Sequence, residues 1–105
     1  MAFYEKDFVP FVPNNCANDI CDLLNGHSVF VHIKRHRISK LGDFSVNKQT
    51  NSAKITINGS LDNYSFLITL LHEIAHLYVW ERYPNHVKPH GYEWQKTFKE
   101  LMQPF

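Results

Sequence analysis

A chain of 105 residues allows one domain with a modest core. Its net charge of +1 excludes the large Lys/Arg excess of an extended nucleic-acid footprint. With 44% hydrophobic and 20% charged residues it reads as an ordinary globular protein, neither disordered nor fibrous. The longest apolar stretch, Phe66 to Leu71, is too short to cross a bilayer. Met1 to Asp7 lacks the basic region and long apolar run of a signal peptide. A cytoplasmic monomer without membrane contact is therefore expected, as a single domain over residues 1–105.

Residues 1–13 are aromatic and punctuated by Pro10 and Pro13, which predicts an irregular arm laid against the domain. Asn14 or Asn15 can cap a short helix whose apolar positions Ala17, Ile20, Cys21 and Leu24 keep the helical period, and Gly26 ends it. Cys16 and Cys21, the only cysteines, fall in that helix on different sides, which predicts free thiols in a reducing compartment. Val29-Phe30-Val31-His32-Ile33 reads as a strand, with His32 a structural residue within it. Gly42-Asp43 reads as a turn, and Phe44–Val46 and Lys54–Ile57 as two further strands. Asn58-Gly59 breaks the sheet. Ser60, Asp62 or Asn63 can cap a long helix carrying Leu67, Leu70, Leu71, Ile74, Leu77 and Tyr78 at helical spacing, which stops near Tyr83-Pro84-Asn85. After a polar loop, Gly91 precedes a last helix with Trp94, Phe98, Leu101 and Met102 as its apolar stripe. The predicted class is α+β, a small three-stranded sheet packed on helices.

The long helix contains His72-Glu73-Ile74-Ala75-His76. Residues four apart lie on one helix face, so His72 and His76 can reach one metal ion while Glu73 stands beside them. This is the H-E-x-x-H pattern of zinc hydrolases. A catalytic zinc takes three protein ligands and leaves a fourth position for water. The third ligand is to be found among His86, His90 and Glu93, all beyond the helix-breaking Pro84. His90 is preferred because the adjoining Gly91 lets the backbone approach closely. Glu93 has an ordinary explanation as an acid in a first helical turn, and His86 as a solvated loop residue. Structural zinc sites usually use four ligands and favour cysteine, which this region lacks. The pattern therefore favours a hydrolase in which Zn2+ activates water and Glu73 serves as general base.

These residues resemble the SprT-like zinc metalloproteases from about Val29 to Met102. The matching elements are Arg37-Ile38-Ser39-Lys40-Leu41-Gly42-Asp43, the strand Ile55-Thr56-Ile57-Asn58, and Leu70-Leu71-His72-Glu73-Ile74-Ala75-His76. The most specific is Pro89-His90-Gly91-Tyr92-Glu93-Trp94, similar to the family's H-G-x-x-F/W segment. The resemblance implies a minimal zincin-like domain with His72, His76 and His90 as zinc ligands and Glu73 as catalytic base. It also implies proteolysis of protein or peptide substrates linked to DNA or chromatin. Many members continue into a Cys-rich zinc ribbon or another nucleic-acid-binding extension, whereas this sequence stops at Phe105, just after the last helix.

Lys34, Arg35, His36, Arg37 and Lys40 form the main basic cluster. A DNA contact through Lys34, Arg35, Arg37 and Lys40 is one reading, and solvated charges at a strand end are the other, favoured by the near-neutral balance. Trp80 and Trp94 are expected to pack helices, and Tyr92 to lie at the surface or to donate to a developing oxyanion. The Ile55–Asn58 strand is expected at the sheet edge, where a peptide could add as a further strand. The alternatives to a protease are a non-proteolytic zinc-containing adaptor for nucleic acid or protein, and a hydrolase of small molecules.

Overall fold

The computed structural model describes residues 2–35, 40–83, 85 and 87–105. Its elements are α1 (Ala17–Leu24), β1 (Val29–Lys34), β2 (Gly42–Asn47), β3 (Ser52–Asn58), α2 (Asn63–Arg82) and α3 (Tyr92–Met102). No helix among the described residues is long and apolar enough to cross a membrane. Among the described residues this is an α+β architecture with a three-stranded sheet and three α-helices.

The strand order is β1-β3-β2. β3 runs parallel to β1, with Val31 opposite Ile55, and antiparallel to β2, with Phe44 opposite Ile55. A parallel pair needs a long connection, and β2 with its flanking loops supplies it. Along β3, Ala53, Ile55 and Ile57 are buried, whereas Lys54 is exposed and Thr56 and Asn58 are half-buried. Successive side chains alternate across a pleated strand, so one face of the sheet is sealed against α2 and the other faces solvent.

The expectation that Ile55–Asn58 lies at the edge is corrected here, because β3 is central and β2 is an edge strand among the described residues. β3 is the strand whose inward face is buried throughout, at Ala53, Ile55 and Ile57, as expected of the position with neighbours on both sides. Gly42-Asp43, expected as a turn, instead opens β2. Gly42 pairs with Ile57 and Asp43 with Thr56. The β2–β3 turn follows Asn47, whose side-chain oxygen accepts from Gln49 N–H at 2.9 Å and Thr50 N–H at 3.3 Å.

α2 forms the centre of the molecule. Phe66, Leu67, Leu70, Leu71, Ile74, Ala75, Leu77 and Val79 are all buried along it. These positions cover more than one face, as expected of a helix packed on several sides. Its cap is Asp62, one of the three expected candidates, which accepts from Ser65 N–H at 2.9 Å. It ends before Tyr83, whose backbone is extended, the conformation favoured for a residue preceding proline. α1 is tied to α2 by the Tyr78 hydroxyl, which donates to Leu23 O at 2.7 Å.

Neither Asn14 nor Asn15 caps α1. The cap position is Cys16, without a side-chain capping bond, while Asn15 takes a left-handed φ of 70° in the turn closed by Cys16 N–H to Pro13 O. Asparagine tolerates that region better than most residues, so it shapes the turn instead of capping the helix. Cys16 and Cys21 are both free thiols. The N-terminal arm contains a short 3-10 turn, Glu5–Asp7, and is anchored by Phe8 and Val12, both buried. Phe11 stacks on Phe66 with ring centroids 5.2 Å apart.

Candidate metal centre

His72 and His76 project from α2 on the same side, as their spacing requires. His90 reaches them from the loop before α3. Its Nε2 lies 3.0 Å from His72 Nε2 and 3.0 Å from His76 Nε2. Among the described residues these three form the cluster able to hold a metal ion. Glu93 does not join it, and its backbone oxygen accepts from the Thr97 hydroxyl at 2.8 Å. His86 lies outside the described residues.

The donor set fits a cation better than it fits mutual hydrogen bonding. A neutral imidazole has one N–H, so a proton on His90 Nε2 can serve only one of its two neighbours. Three Nε2 lone pairs around one ion leave none opposed. Two nitrogens bound at about 2.0–2.1 Å to a tetrahedral zinc lie roughly 3.4 Å apart, so a few tenths of an ångström of adjustment suffice. Burial, and then the neighbouring histidines, push the His76 imidazole down to about 4. Burial and then His90 lower His72 as well. Both shifts favour the neutral ring, the state in which imidazole ligates metals.

His90 is placed by a tight turn. Gly91 N–H bonds to Lys88 O at 3.0 Å, Pro89 follows Lys88, and His90 adopts a φ of 57°. Proline at the second position and a positive φ at the third are the type II pattern, in which glycine or asparagine normally fills the third position. A histidine held there stores backbone strain, as residues at ligand sites often do. A Cβ on Gly91 would lie 3.0 Å from Lys88 O, so the glycine lets the turn close. Gln95 secures the same loop, its side-chain N–H donating to His90 O at 3.0 Å.

Aromatic rings fix the imidazoles. Trp94 lies 4.7 Å from the centroids of both His72 and His90, and its indole N–H donates to His72 O at 3.3 Å. Phe44 of β2 stacks on His76 at 6.0 Å. Trp80 and Trp94 pack against the core as expected, and Trp94 also supports the cluster directly. Tyr92 is 74% exposed and points to the surface reading. His32 is exposed on the outer face of β1.

Glu73 is only 6% exposed, and it borders a cleft of about 390 Å³ shared with His72, His76, His90 and Asp43. Burial, and then the Asp43 carboxylate, push its carboxyl up to about 7, with Lys40 opposing. Lys40 in turn pairs with Asp43 at 3.3 Å. A carboxyl tuned near neutrality can both accept and release a proton.

Gly42 makes this arrangement possible. A Cβ there would fall 2.8 Å from Thr69 Cγ2 and 3.1 Å from Glu73 Oε2, so glycine lets β2 lie directly against α2. Gly42, Asp43, Phe44 and Gln95 were not singled out in the sequence as site residues. Gly42-Asp43 reads as a turn in the sequence, which hides this role, since a glycine signals a close backbone approach only where it falls inside a strand pattern. Of the basic cluster, Lys34, Arg35 and Lys40 are exposed, and Arg35 lies over the Phe11 ring at 4.9 Å. His36 and Arg37 lie outside the described residues.

The fold and the three-histidine cluster define a small α+β domain with a site able to hold a metal ion. The SprT-like family model matches residues 19–105, and the chain belongs to that family. No curated protein and no solved structure matches it.

Proposed function

We propose that this chain is a zinc-dependent metallopeptidase domain of zincin type that hydrolyses peptide bonds. The observation that carries the reading is the convergence of three Nε2 atoms within one cleft, bordered by a buried glutamate near neutrality. His72, His76 and His90 would hold the ion. Zinc bound there supplies Lewis acidity, which lowers the pKa of water and polarises a carbonyl.

Glu73 takes the proton from the attacking water as general base and returns it to the leaving amine as general acid. Its burial keeps bulk water from levelling its basicity. The edge strand β2 borders the same cleft through Gly42, Asp43 and Phe44. An extended peptide pairing with β2 would pass over Glu73, with backbone hydrogen bonds holding the scissile carbonyl in place.

We extend the reading to proteins associated with DNA, the substrate class the SprT-like family suggests. Lys34, Arg35, Arg37 and Lys40 are the candidate phosphate contacts. The test is metal analysis of the purified protein together with cleavage of casein and of a DNA-bound protein, with Glu73→Gln in parallel. One zinc per chain, cleavage by the wild type, and zinc retained without cleavage in Glu73→Gln are the expected results. Zinc without cleavage of either substrate would favour the non-proteolytic adaptor, and no zinc affinity would end both readings.

A further inference from the structure

A second cavity, of about 430 Å³, adjoins the metal cleft and has His76 and His90 in its wall as well. It extends toward the C-terminal end of α2. Val79 and Trp80 line it from α2, and Trp94 lines it from α3. Val79 is one helical turn beyond His76, so the apolar wall begins where the metal cluster ends. At about 430 Å³ the cavity is large enough for an aromatic or branched aliphatic side chain and falls in the usual range of ligand pockets. Lys48 and Lys88 also border it, and no carboxylate does so among the described residues.

We infer that this cavity is the specificity pocket for the substrate residue adjoining the scissile bond, and that it selects a bulky apolar side chain and rejects a cationic one. The inference rests on the peptidase reading above. A peptide whose carbonyl sits over the histidine cluster must place one neighbouring side chain beside His76 and His90, where this is the adjoining cavity. Desolvating apolar groups against Val79, Trp80 and Trp94 is favourable. A lysine or arginine would meet two exposed like charges with no acid among the described residues to pair with, and like-charge juxtaposition is unfavourable.

Both tryptophans of the chain line this cavity, so their fluorescence reports its occupancy without any reaction. The experiment uses zinc-loaded protein and one peptide scaffold carrying Phe, Leu, Ala or Lys in turn on either side of the cleaved bond. The bond is located by mass spectrometry. At one flank, kcat/KM for Phe or Leu should exceed that for Ala or Lys by about tenfold or more. The same order should appear in the peptide concentrations that shift tryptophan emission in Glu73→Gln.

Val79→Phe fills the cavity and should turn the preference toward Ala, with the Ala peptide still cleaved. Lys48→Glu, on the exposed β2–β3 turn, should improve the Lys peptide relative to Phe without risk to the core. Cleavage with no preference at either flank, or a preference that neither variant moves, would overturn the pocket while leaving the peptidase reading intact. Absence of cleavage for every peptide would instead strike the peptidase reading. In that case, a fluorescence order of Phe over Lys would still support the cavity as a selective apolar binding site, and no order would remove it.

Discussion

The indole N–H of Trp94 donates to the backbone oxygen of His72 at 3.3 Å, binding the first turn of α3 to the helix that carries two of the three histidines. The bond uses the second lone pair of a carbonyl inside α2. It also places the indole 4.7 Å from the rings of His72 and His90. The two helix histidines and the loop histidine therefore share one support.

Trp94→Phe keeps a ring but removes that donor. A net hydrogen bond contributes about 1 kcal/mol, so the variant should be destabilised by about that much in urea unfolding. Zinc affinity measured by competition with a chromophoric chelator should fall by about tenfold, the lower end of losses seen when groups that orient metal ligands are removed. An unchanged affinity would show that α3 does not position the histidines.

Gly42→Ala tests the close approach of β2 to α2. The added methyl would meet Thr69, Glu73 and Ile57, and forcing a methyl into a packed site costs about 1–3 kcal/mol. β2 should move away from α2, lowering the unfolding midpoint and reducing peptide cleavage. Zinc stoichiometry should hold, because the three atoms nearest the new methyl belong to Thr69, Glu73 and Ile57 and not to a histidine. Loss of zinc from this variant would mean that the histidine cluster depends on the position of β2, through the Phe44 ring stacked on His76.

Metal binding should be linked to folding. The cluster joins α2 to a loop through residues 72, 76 and 90, so the unfolded chain has no preformed site. With free zinc at about a hundred times its Kd, the linkage is worth about 2.7 kcal/mol. Chelation should therefore lower Tm, zinc should restore it, and His76→Ala should respond to neither. Equal responses of wild type and variant would place the bound zinc elsewhere.

Asp62 provides a pH-dependent prediction distant from the metal. Hydrogen bonds from Ser65 N–H at 2.9 Å and the Ser65 hydroxyl at 2.8 Å hold its carboxyl below the usual carboxylate range. Since the folded value lies below the unfolded one, the contribution is present above the unfolded pKa. It is lost as pH falls through the folded value. Asp62→Ala should lower Tm at neutral pH, and the gap from wild type should close in strongly acid solution. A gap that persists there would assign the effect to something other than the ionised cap.

The sequence by itself determined the elements whose signals are local. The helical period from Leu67 to Tyr78 located α2, the four-residue step from His72 to His76 placed both imidazoles on one side, and Asp62 stood among the expected caps. That His90 before Gly91 could return to His72 and His76 was also readable, because a glycine beside a histidine after a helix-breaking proline implies a tight return of the chain, and the three do cluster. Tertiary structure alone decided that β3 is central and β2 lies beside Glu73, that Gly42-Asp43 is strand and not turn, and that Cys16 and not Asn14 or Asn15 stands at the start of α1. It also decided that Phe44, Trp94 and Gln95 hold the imidazoles and their loop. The physical reason is range. A period of 3.6 or 2 residues records which side of a segment is buried, while strand order, edge position and the clearance that only Gly42 allows arise from atoms far apart in the chain.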